Sequence, residues 1–278
     1  MGTDDVKTVA VTGGDLPVRC EPGTGTALVF LHYWGGSGET FAPVAERLPG
    51  RPVVRYDQRG WGAARELPGP YGLTQLADDA LRVVDELGLS RYVLIGHSMG
   101  GKVAQLVAAR RPAGLAGMVL VAPAPPQPAE ASAEEREALA HAYDNAETVS
   151  AALDHVLTHR PLLDPVRERV VADSLNATAE ARLTWPRQGI TEDIADVVGA
   201  VEVPVLVLAG EHDRVDPPAV LAERLLPVLP AATMSVLRGT GHLSPLEVPG
   251  QIAARVERFL AGLQIKSSSR RRRSPSRR

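Results

Sequence analysis

Short apolar segments alternate with amphipathic segments along most of this chain, and this alternation constrains its fold most strongly. The runs TALVFLH (26–32), RYVLIG (91–96) and VPVLVLAG (203–210) are nearly continuous in apolar residues. Continuous apolar runs of this length are typical of strands that are buried on both faces of a parallel sheet. The sequence therefore predicts an α/β fold, with a mostly parallel eight-stranded sheet and helices on both faces.

The predicted strands and helices follow one another in the order that a parallel sheet requires. The first two strands are expected to form an antiparallel hairpin around Gly13-Gly14-Asp15. The helical segments carry apolar residues at helical spacing, and two of them end at Gly88 and Pro112. Strands are expected at 8–12, 16–21, 26–32, 52–57, 91–96, 116–122, 203–210 and 232–237, and helices at 73–88, 101–112, 218–229 and 249–263.

One long segment interrupts the alternation, because no strand is predicted between Pro123 and Val201. The stiff connector PAPPQP (123–128) is followed by amphipathic stretches rich in Ala, Glu and Arg. A structureless loop of this length would be unusual in a compact domain. We therefore expect a helical cap at 125–200, inserted into a core that is formed by 1–124 and 201–265.

The charge of the chain is divided unevenly between its body and its end. Of the 30 Lys and Arg residues, seven lie in KSSSRRRRSPSRR (266–278), which contains no acid. Residues 1–265 contain the other 23 basic residues and all 33 Asp and Glu residues, so their net charge is −10. The tail 266–278 is predicted to be disordered. The tail is either an anion-binding segment or a sequence appended to the fold. Nucleic acid is expected as a partner only if the tail binds it.

Cysteine content and hydropathy favour an intracellular protein. Cys20 is the only cysteine, so no intrachain disulfide can form. The sequence has neither a signal-peptide core nor an apolar run of about 18 residues. A cytoplasmic location without membrane contact is the expectation, and the oligomeric state is left open.

The segment GHSMGG (96–101) matches the pattern G-x-S-x-G directly after a predicted strand and before a predicted helix. In this context the serine sits on a sharp strand-to-helix turn that exposes its hydroxyl above the sheet. Glycines are required beside it because side chains there would collide across the turn. Ser98 is therefore the candidate nucleophile.

A serine hydroxyl needs a general base, and the base needs a carboxylate that orients it. Reacting groups of an open parallel sheet collect at the carboxyl ends of its strands. Among seven histidines, His242 lies in such a loop, GTGHLSPLE (239–247). Asp213, in GEHDRVDPP (210–218), is the expected acid. Asp216 is the alternative acid, but its position before two prolines favours a role as a helix cap.

An oxyanion hole requires main-chain N–H groups that point at the developing negative charge. One is expected from Met99, directly after the candidate nucleophile. The other is expected from the loop HYWGGSG (32–38).

These motifs together resemble the α/β-hydrolases, in particular the serine esterase-like members, over nearly all of residues 8–263. The matching segments are LHYWGGSG, YDQRGWG, GHSMGG, GEHDRVDP and GTGHLSPLE. The resemblance implies that Ser98 is the nucleophile, Asp213 the acid and His242 the base, with the amides of Trp34 and Met99 forming the oxyanion hole. Tyr33 stands where the family usually has glycine, and a phenol there would narrow the acyl site or donate a hydrogen bond to substrate.

The serine nucleophile favours acyl transfer, because dehalogenases and epoxide hydrolases of this fold use aspartate. The expected activity is hydrolysis of a small to medium apolar carboxylic ester or lactone through an acyl-enzyme. Cofactor-free perhydrolase or haloperoxidase-like chemistry and C–C bond hydrolysis are the alternatives among enzymes, and a ligand receptor that retains the triad is an alternative of another class. Tyr33, His97 and Trp185 are expected in the substrate pocket. The sequence implies no cofactor and no metal, since the His155 and His159 pair lacks the glutamate of a zinc protease.

Overall fold

Eight strands form one sheet in the computed structural model, which describes the backbone of residues 5–272 and the side chains of residues 5–265. The strands are β1 (Asp5–Val11), β2 (Gly14–Glu21), β3 (Ala27–Leu31), β4 (Val53–Tyr56), β5 (Tyr92–His97), β6 (Leu115–Val121), β7 (Val205–Gly210) and β8 (Ala232–Leu237). Their order across the sheet is β1-β2-β4-β3-β5-β6-β7-β8. Both pairings of β2 are antiparallel, and all pairings from β4 to β8 are parallel.

Helices occupy the connections between the parallel strands and also follow the last strand. They are α1 (Ala42–Ala45), α2 (Leu73–Glu86), α3 (Met99–Ala109), α4 (Ala133–Ala140), α5 (Ala146–Ala152), α6 (Asp164–Leu175), α7 (Ala179–Arg187), α8 (Ala195–Val198), α9 (Pro218–Val220), α10 (Ser244–Glu247) and α11 (Pro249–Arg272). One wide π-helical turn, Leu153–Leu157, follows α5 and another, Leu221–Leu225, follows α9.

The sheet is buried on both faces because successive strand residues point to opposite sides. In β3, Val29 and Leu31 belong to one apolar cluster, whereas Leu28 and Phe30 belong to a second cluster. Helices α2 and α3 supply the first cluster, and α1 and α11 supply the second. This arrangement explains the continuous apolar runs of the central strands, and it confirms the predicted fold class.

Helices alone provide the regular elements between β6 and β7, where α4 to α8 lie. We refer to residues 125–200 as the insertion. It is tied to the loop after β4, where Trp61 pairs with Ala177 as an isolated β-bridge. The Gly62 amide also donates to the Asn176 carbonyl at 2.8 Å, and the Thr178 amide donates to the Gly60 carbonyl at 3.0 Å.

The bounds of several elements differ from those expected. Helix α9 is regular for one turn and continues as the π-helical turn Leu221–Leu225. Helix α11 runs to Arg272, so its backbone extends into the segment for which the sequence predicts no regular structure. Residues 273–278 of that predicted tail lie outside the described residues.

Within the described part of the chain, none of the helices combines the length and the apolar character that crossing a bilayer requires.

Candidate active site

Ser98 lies on a tight turn between β5 and α3. Its backbone angles, φ 53° and ψ −116°, fall in a region that non-glycine residues rarely occupy. A Cβ atom at Gly96 would overlap the carbonyl of Gly100, and one at Gly100 would overlap the carbonyl oxygens of Leu31 and His32. The structure thus places Ser98 in the strand–turn–helix context that the sequence predicts.

Main-chain hydrogen bonds hold Ser98 in this unusual conformation. Its amide donates to the Val121 carbonyl at 3.1 Å. Its carbonyl accepts from the amides of Gly101 at 2.9 Å, Lys102 at 3.1 Å and Ala124 at 3.2 Å. The side chain forms no capping hydrogen bond to α3. The surrounding structure therefore fixes the backbone and leaves the hydroxyl free of a structural role in the helix.

His242 and Asp213 form a buried hydrogen-bonded pair at the carboxyl ends of β8 and β7. His242 Nδ1 donates to Asp213 Oδ2 at 2.9 Å and lies 3.1 Å from Oδ1. Asp213 Oδ1 also accepts the amides of Val215 at 2.8 Å and Asp216 at 3.1 Å. Because Nδ1 carries the proton in this pair, Nε2 of the neutral imidazole is an acceptor.

Electrostatics favour the charged forms of both partners. Burial alone would raise the pKa of Asp213, but the charge of His242 and the hydrogen bonds from its imidazole and from two amides together lower it. Burial alone would lower the pKa of His242, but Asp213, Asp216 and Glu247 together raise it. The pair is therefore suited to hold an extra proton on the imidazole.

A cavity of about 560 Å³ lies at this edge of the sheet, and both Ser98 and His242 line it. Most of its wall is apolar and comes from the insertion. Tyr33 and Trp185, two of the residues predicted from the sequence to lie in a substrate pocket, also line this cavity. The insertion contributes Pro125, Gln127, Ala129, Glu135, Ala138, Leu139, Ala142, Tyr143, Ala152, Val156, Leu157, Trp185 and Ile190.

The loop after β3 is held beside Ser98 by a buried histidine. His32 Nε2 accepts the Gln58 amide at 2.8 Å, so Nδ1 is the protonated nitrogen, and it lies 2.7 Å from the Tyr33 carbonyl. The Gln58 side chain donates to the His32 carbonyl at 2.7 Å. These bonds fix the main chain that leads into Tyr33 and Trp34.

Trp34 connects this loop to the insertion. Its indole N–H donates to the Arg182 carbonyl at 2.9 Å, and its ring stacks on Tyr143 with 4.1 Å between centroids. Among the described residues, no acceptor takes the Trp34 amide proton. The Met99 amide is the first of α3, where an N–H has no partner within the helix.

A sequence model of the alpha/beta hydrolase fold matches residues 26–249, which is most of the chain. The chain belongs to the alpha/beta hydrolase fold family. The matched range includes β3, Ser98, Asp213 and His242, so it covers the site described above.

Curated relatives of this alpha/beta hydrolase carry different names. The "Putative carbamate hydrolase RutD" of Caulobacter vibrioides (strain NA1000 / CB15N) is 45% identical over 89 residues, which are 31% of this chain and 33% of that protein. The protein of the same name from Caulobacter sp. (strain K31) is 30% identical over 241 residues, 82% of this chain and 88% of its own. A non-heme haloperoxidase of Rhodococcus erythropolis is 27% identical over 246 residues, which are 79% of this chain and 86% of the haloperoxidase.

Among solved structures, an esterase from Exiguobacterium antarcticum superimposes on this alpha/beta hydrolase with a TM-score of 0.81. The two chains are 22% identical, and the match covers 95% of this chain and 100% of the esterase. At this identity the likeness concerns the fold.

His97 differs from its expected place in the substrate pocket of this alpha/beta hydrolase. It is fully buried and does not line the cavity. Its ring lies behind His242, where Nε2 donates to the His242 main-chain carbonyl at 2.9 Å. Burial, with the nearby His242 charge, lowers the pKa of His97 to about 3, so the ring is neutral. The centroid of its ring lies 5.2 Å from that of His242 and 5.0 Å from that of Tyr33, so His97 packs against two residues of the cavity wall without lining the cavity.

Asp216 is also placed differently. The expectation that its side chain caps the following helix is wrong, because Pro217 is the cap residue of α9 and no side-chain hydrogen bond is formed there. Asp216 lines the cavity instead. Lys102 reaches the same cavity from α3, one helical turn after Ser98. That spacing is visible in the sequence and is the signal that could have identified Lys102.

Glu247 is a further residue that sequence reasoning missed. Its carboxylate accepts the hydroxyl of Thr240 and the amide of Gly241, which directly precede His242. It also accepts the amides of His159 at 2.6 Å and Arg160 at 2.9 Å in the insertion. One carboxylate thus joins the His242 loop to the insertion.

Proposed function

We propose that this alpha/beta hydrolase is a serine hydrolase that cleaves small to medium apolar carboxylic esters or lactones. The observation that carries the proposal is the buried His242–Asp213 hydrogen bond in the wall of the cavity that Ser98 also lines. A serine hydroxyl, an imidazole base and a carboxylate that orients the base are the side chains that serine acyl transfer uses.

In the first half of the reaction, Ser98 Oγ attacks the ester carbonyl while His242 Nε2 takes the hydroxyl proton. Asp213 holds Nδ1 protonated, so that Nε2 is the free acceptor, and it stabilises the imidazolium that forms. The imidazolium then gives its proton to the leaving alkoxide as the C–O bond breaks. For an ester the products are a Ser98 acyl-enzyme and a free alcohol, and for a lactone the new hydroxyl stays on the acyl group.

In the second half, water attacks the acyl carbon and gives a proton to His242 Nε2. The tetrahedral intermediate collapses, Ser98 Oγ leaves, and the imidazolium returns the proton to it. The amides of Trp34 and Met99 are the proposed donors to the oxyanion in both halves. A single donor of this kind contributes about 3–4 kcal/mol to transition-state stabilisation.

The cavity supports the proposed substrate class. A volume of about 560 Å³ is within the range of small-molecule sites. The apolar wall from the insertion, including Leu139, Val156 and Trp185, suits an alkyl or aryl group rather than a polymer. The insertion acts as a cap over the reacting bond in this proposal.

Hydrolysis of p-nitrophenyl butanoate by wild type and Ser98→Ala tests the proposal. We expect kcat/KM to fall more than about 10⁴-fold in Ser98→Ala, because the nucleophile is removed. Ser90→Ala is the matched control, since Ser90 is an exposed serine just before β5. Activity that survives in Ser98→Ala would overturn the proposal. A single burst of p-nitrophenol without turnover would instead favour a receptor that retains the triad.

Carbamate hydrolysis is a second candidate function, favoured by the names of the two Caulobacter relatives. The same triad would attack the carbamate carbonyl. Comparing kcat/KM for ethyl butanoate and ethyl carbamate separates the two functions, because ethanol is released from both. The haloperoxidase relative adds a third arm to the screen, in which acetate and hydrogen peroxide are tested for peracid formation.

A further inference from the structure

Two buried ionisable side chains in the cavity are not used by the proposed mechanism. Lys102 is 1% exposed and Asp216 is 8% exposed, and both line the cavity with Ser98 and His242. The rest of the cavity wall is mostly apolar. A buried polar side chain without a partner is costly, so each of these two requires an explanation.

Lys102 uses part of its hydrogen-bonding capacity within the protein. Its ammonium group donates to the Glu192 carbonyl at 2.6 Å and, at the longer distance of 3.4 Å, to the Gln127 carbonyl. An ammonium has three N–H donors. Within the described residues, no third acceptor is present, so one donor is available to a group in the cavity.

Asp216 uses its main chain but not its carboxylate. Its amide donates to Asp213 Oδ1 at 3.1 Å, which fixes the residue beside the His242–Asp213 pair. In the part of the chain that the structure describes, its carboxylate accepts no hydrogen bond and forms no ion pair, with Lys102 or any other cation, within 4.0 Å. Asp216 thus lines the cavity with a carboxylate that has no hydrogen-bond partner among the described residues.

Burial shifts the pKa of both groups toward neutral pH, so that near pH 7 Asp216 is partly charged and Lys102 is mostly charged. It raises the pKa of Asp216 to about 7 and lowers the pKa of Lys102 to about 8. The two groups differ in sign when charged, so an ionic substituent that is attracted to one is repelled by the other. A neutral group that both donates and accepts a hydrogen bond is compatible with both.

We propose that Lys102 and Asp216 form a subsite that binds a hydroxyl group of the substrate, with Lys102 donating to the hydroxyl oxygen and Asp216 accepting its proton. The proposal rests on the proposed function and narrows its substrate class to hydroxylated esters. It makes Lys102 and Asp216 specificity-determining residues. The apolar part of the cavity binds the remainder of the substrate.

The position of the subsite limits where the hydroxyl lies in the substrate. Lys102 lies in the first turn of α3, directly after the turn that carries Ser98, and its amide donates to the Ser98 carbonyl at 3.1 Å. Asp216 is held next to Asp213. The hydroxyl is therefore expected within a few bonds of the ester carbonyl, as in 2-hydroxy and 3-hydroxy acyl esters.

Matched pairs of ethyl esters test the subsite in the full-length protein. Ethyl 2-hydroxypropanoate is compared with ethyl propanoate, and ethyl 3-hydroxybutanoate with ethyl butanoate, by proton release at pH 7. The quantity measured is the ratio of kcat/KM for the hydroxylated ester to that for its deoxy partner. Wild type is expected to give a ratio above one for at least one pair.

The variants Lys102→Met and Asp216→Asn are expected to lower that ratio about 10-fold and at least about 5-fold, respectively, because each loses a charged hydrogen-bond partner. The controls are Lys7→Met and Asp164→Asn, which alter exposed residues outside the cavity and are expected to retain the wild-type ratio. Circular dichroism verifies folding of each variant, and either of the two subsite variants alone suffices for the test.

The outcomes separate this inference from the proposed function. Hydrolysis of the deoxy esters with the same ratio in wild type and both subsite variants would overturn the subsite and leave the serine hydrolase intact. The subsite would also be overturned if wild type preferred monoethyl succinate to either hydroxy ester and only Lys102→Met lost that preference. Lys102 would then bind an anionic group of the substrate rather than a hydroxyl. If no ester is hydrolysed, or if Ser98→Ala hydrolyses them, the proposed function itself fails.

Discussion

At the scale of single residues, His242 is the group whose protonation is expected to control activity. The carboxyl groups of Asp213, Asp216 and Glu247 face it, and so does the neutral ring of His97. The three carboxylates together outweigh burial and raise its pKa above the ordinary histidine value of about 6.5. Only the form with an unprotonated Nε2 can accept the Ser98 proton.

The pH dependence of kcat/KM follows from this argument. Because the protonated imidazole is inactive, activity is expected to rise with pH through a midpoint above about 6.5 and to be lost as pH falls through it. Rates of p-nitrophenyl butanoate hydrolysis from pH 5 to 8.5 measure the midpoint. Asp213→Asn, which removes the anion that fixes Nδ1–H, is expected to lower the rate about 10⁴-fold. A midpoint below pH 6 in wild type would contradict the raised pKa.

The candidate triad could be predicted at this scale because each member lies in a short motif at a strand end. Lys102 and Asp216 could not be predicted as a pair, because their common property is that both side chains enter one cavity. Asp216 also illustrates how a local pattern misleads: an aspartate before two prolines is typical of a helix start, but here burial beside Asp213 decides its orientation.

At the scale of elements, the turn between β5 and α3 depends on close main-chain packing. A Cβ atom at Gly100 would overlap main-chain carbonyl oxygens of the loop after β3, and no side-chain rotation can relieve that contact. The main chain would therefore have to shift to make room for the Cβ atom. That shift would move Ser98 and the loop that carries Trp34.

Gly100→Ala is therefore expected to lower the free energy of unfolding by about 1–3 kcal/mol and to reduce hydrolysis. Gly262→Ala is the matched control. Gly262 lies within α11 with nothing within 4 Å of an added Cβ, so alanine there is expected to stabilise by about 0.5–1 kcal/mol. Urea unfolding monitored by circular dichroism measures both changes. Equal stability of the two variants would show that the turn tolerates a side chain.

Strand positions were predictable because strands buried on both faces need apolar sequence, and β3, β6 and β7 have it without interruption. Helix ends were less predictable because several are set by tertiary contacts. The start of α3 at Met99 is fixed by the turn at Ser98 rather than by a capping side chain. The π-helical turn after α9 has no distinct apolar period, so the pattern predicts an ordinary helix there.

At the scale of the whole molecule, Glu247 connects the core to the insertion. Its carboxylate accepts hydrogen bonds from both sides of the boundary, at Gly241 on the core side and at His159 and Arg160 in the insertion. No local sequence pattern predicts this connection, because the partners are far apart along the chain.

Glu247→Gln is expected to weaken the connection, since an amide is a poorer acceptor than a carboxylate and also brings its own N–H donors. We expect a loss of about 1–3 kcal/mol in the free energy of unfolding, faster proteolysis within the insertion and slower ester hydrolysis. Glu257→Gln is the control, because Glu257 forms a partly exposed ion pair with Arg51 and is expected to change stability by less than about 1 kcal/mol. Unchanged proteolysis in Glu247→Gln would argue against the connection.

The order of strands in the sheet has a consequence for the way activity is acquired. Ser98 follows β5 near the middle of the sheet, whereas Asp213 and His242 follow β7 and β8, and β8 is an edge strand that pairs only with β7. A refolding chain that has joined its first six strands already contains most of the sheet but has no base for Ser98. Ester hydrolysis would therefore return later than the circular dichroism signal of the sheet, because the β6–β7 pairing, which joins Met118 to Val205, has the longest sequence separation of the strand pairings among the described residues.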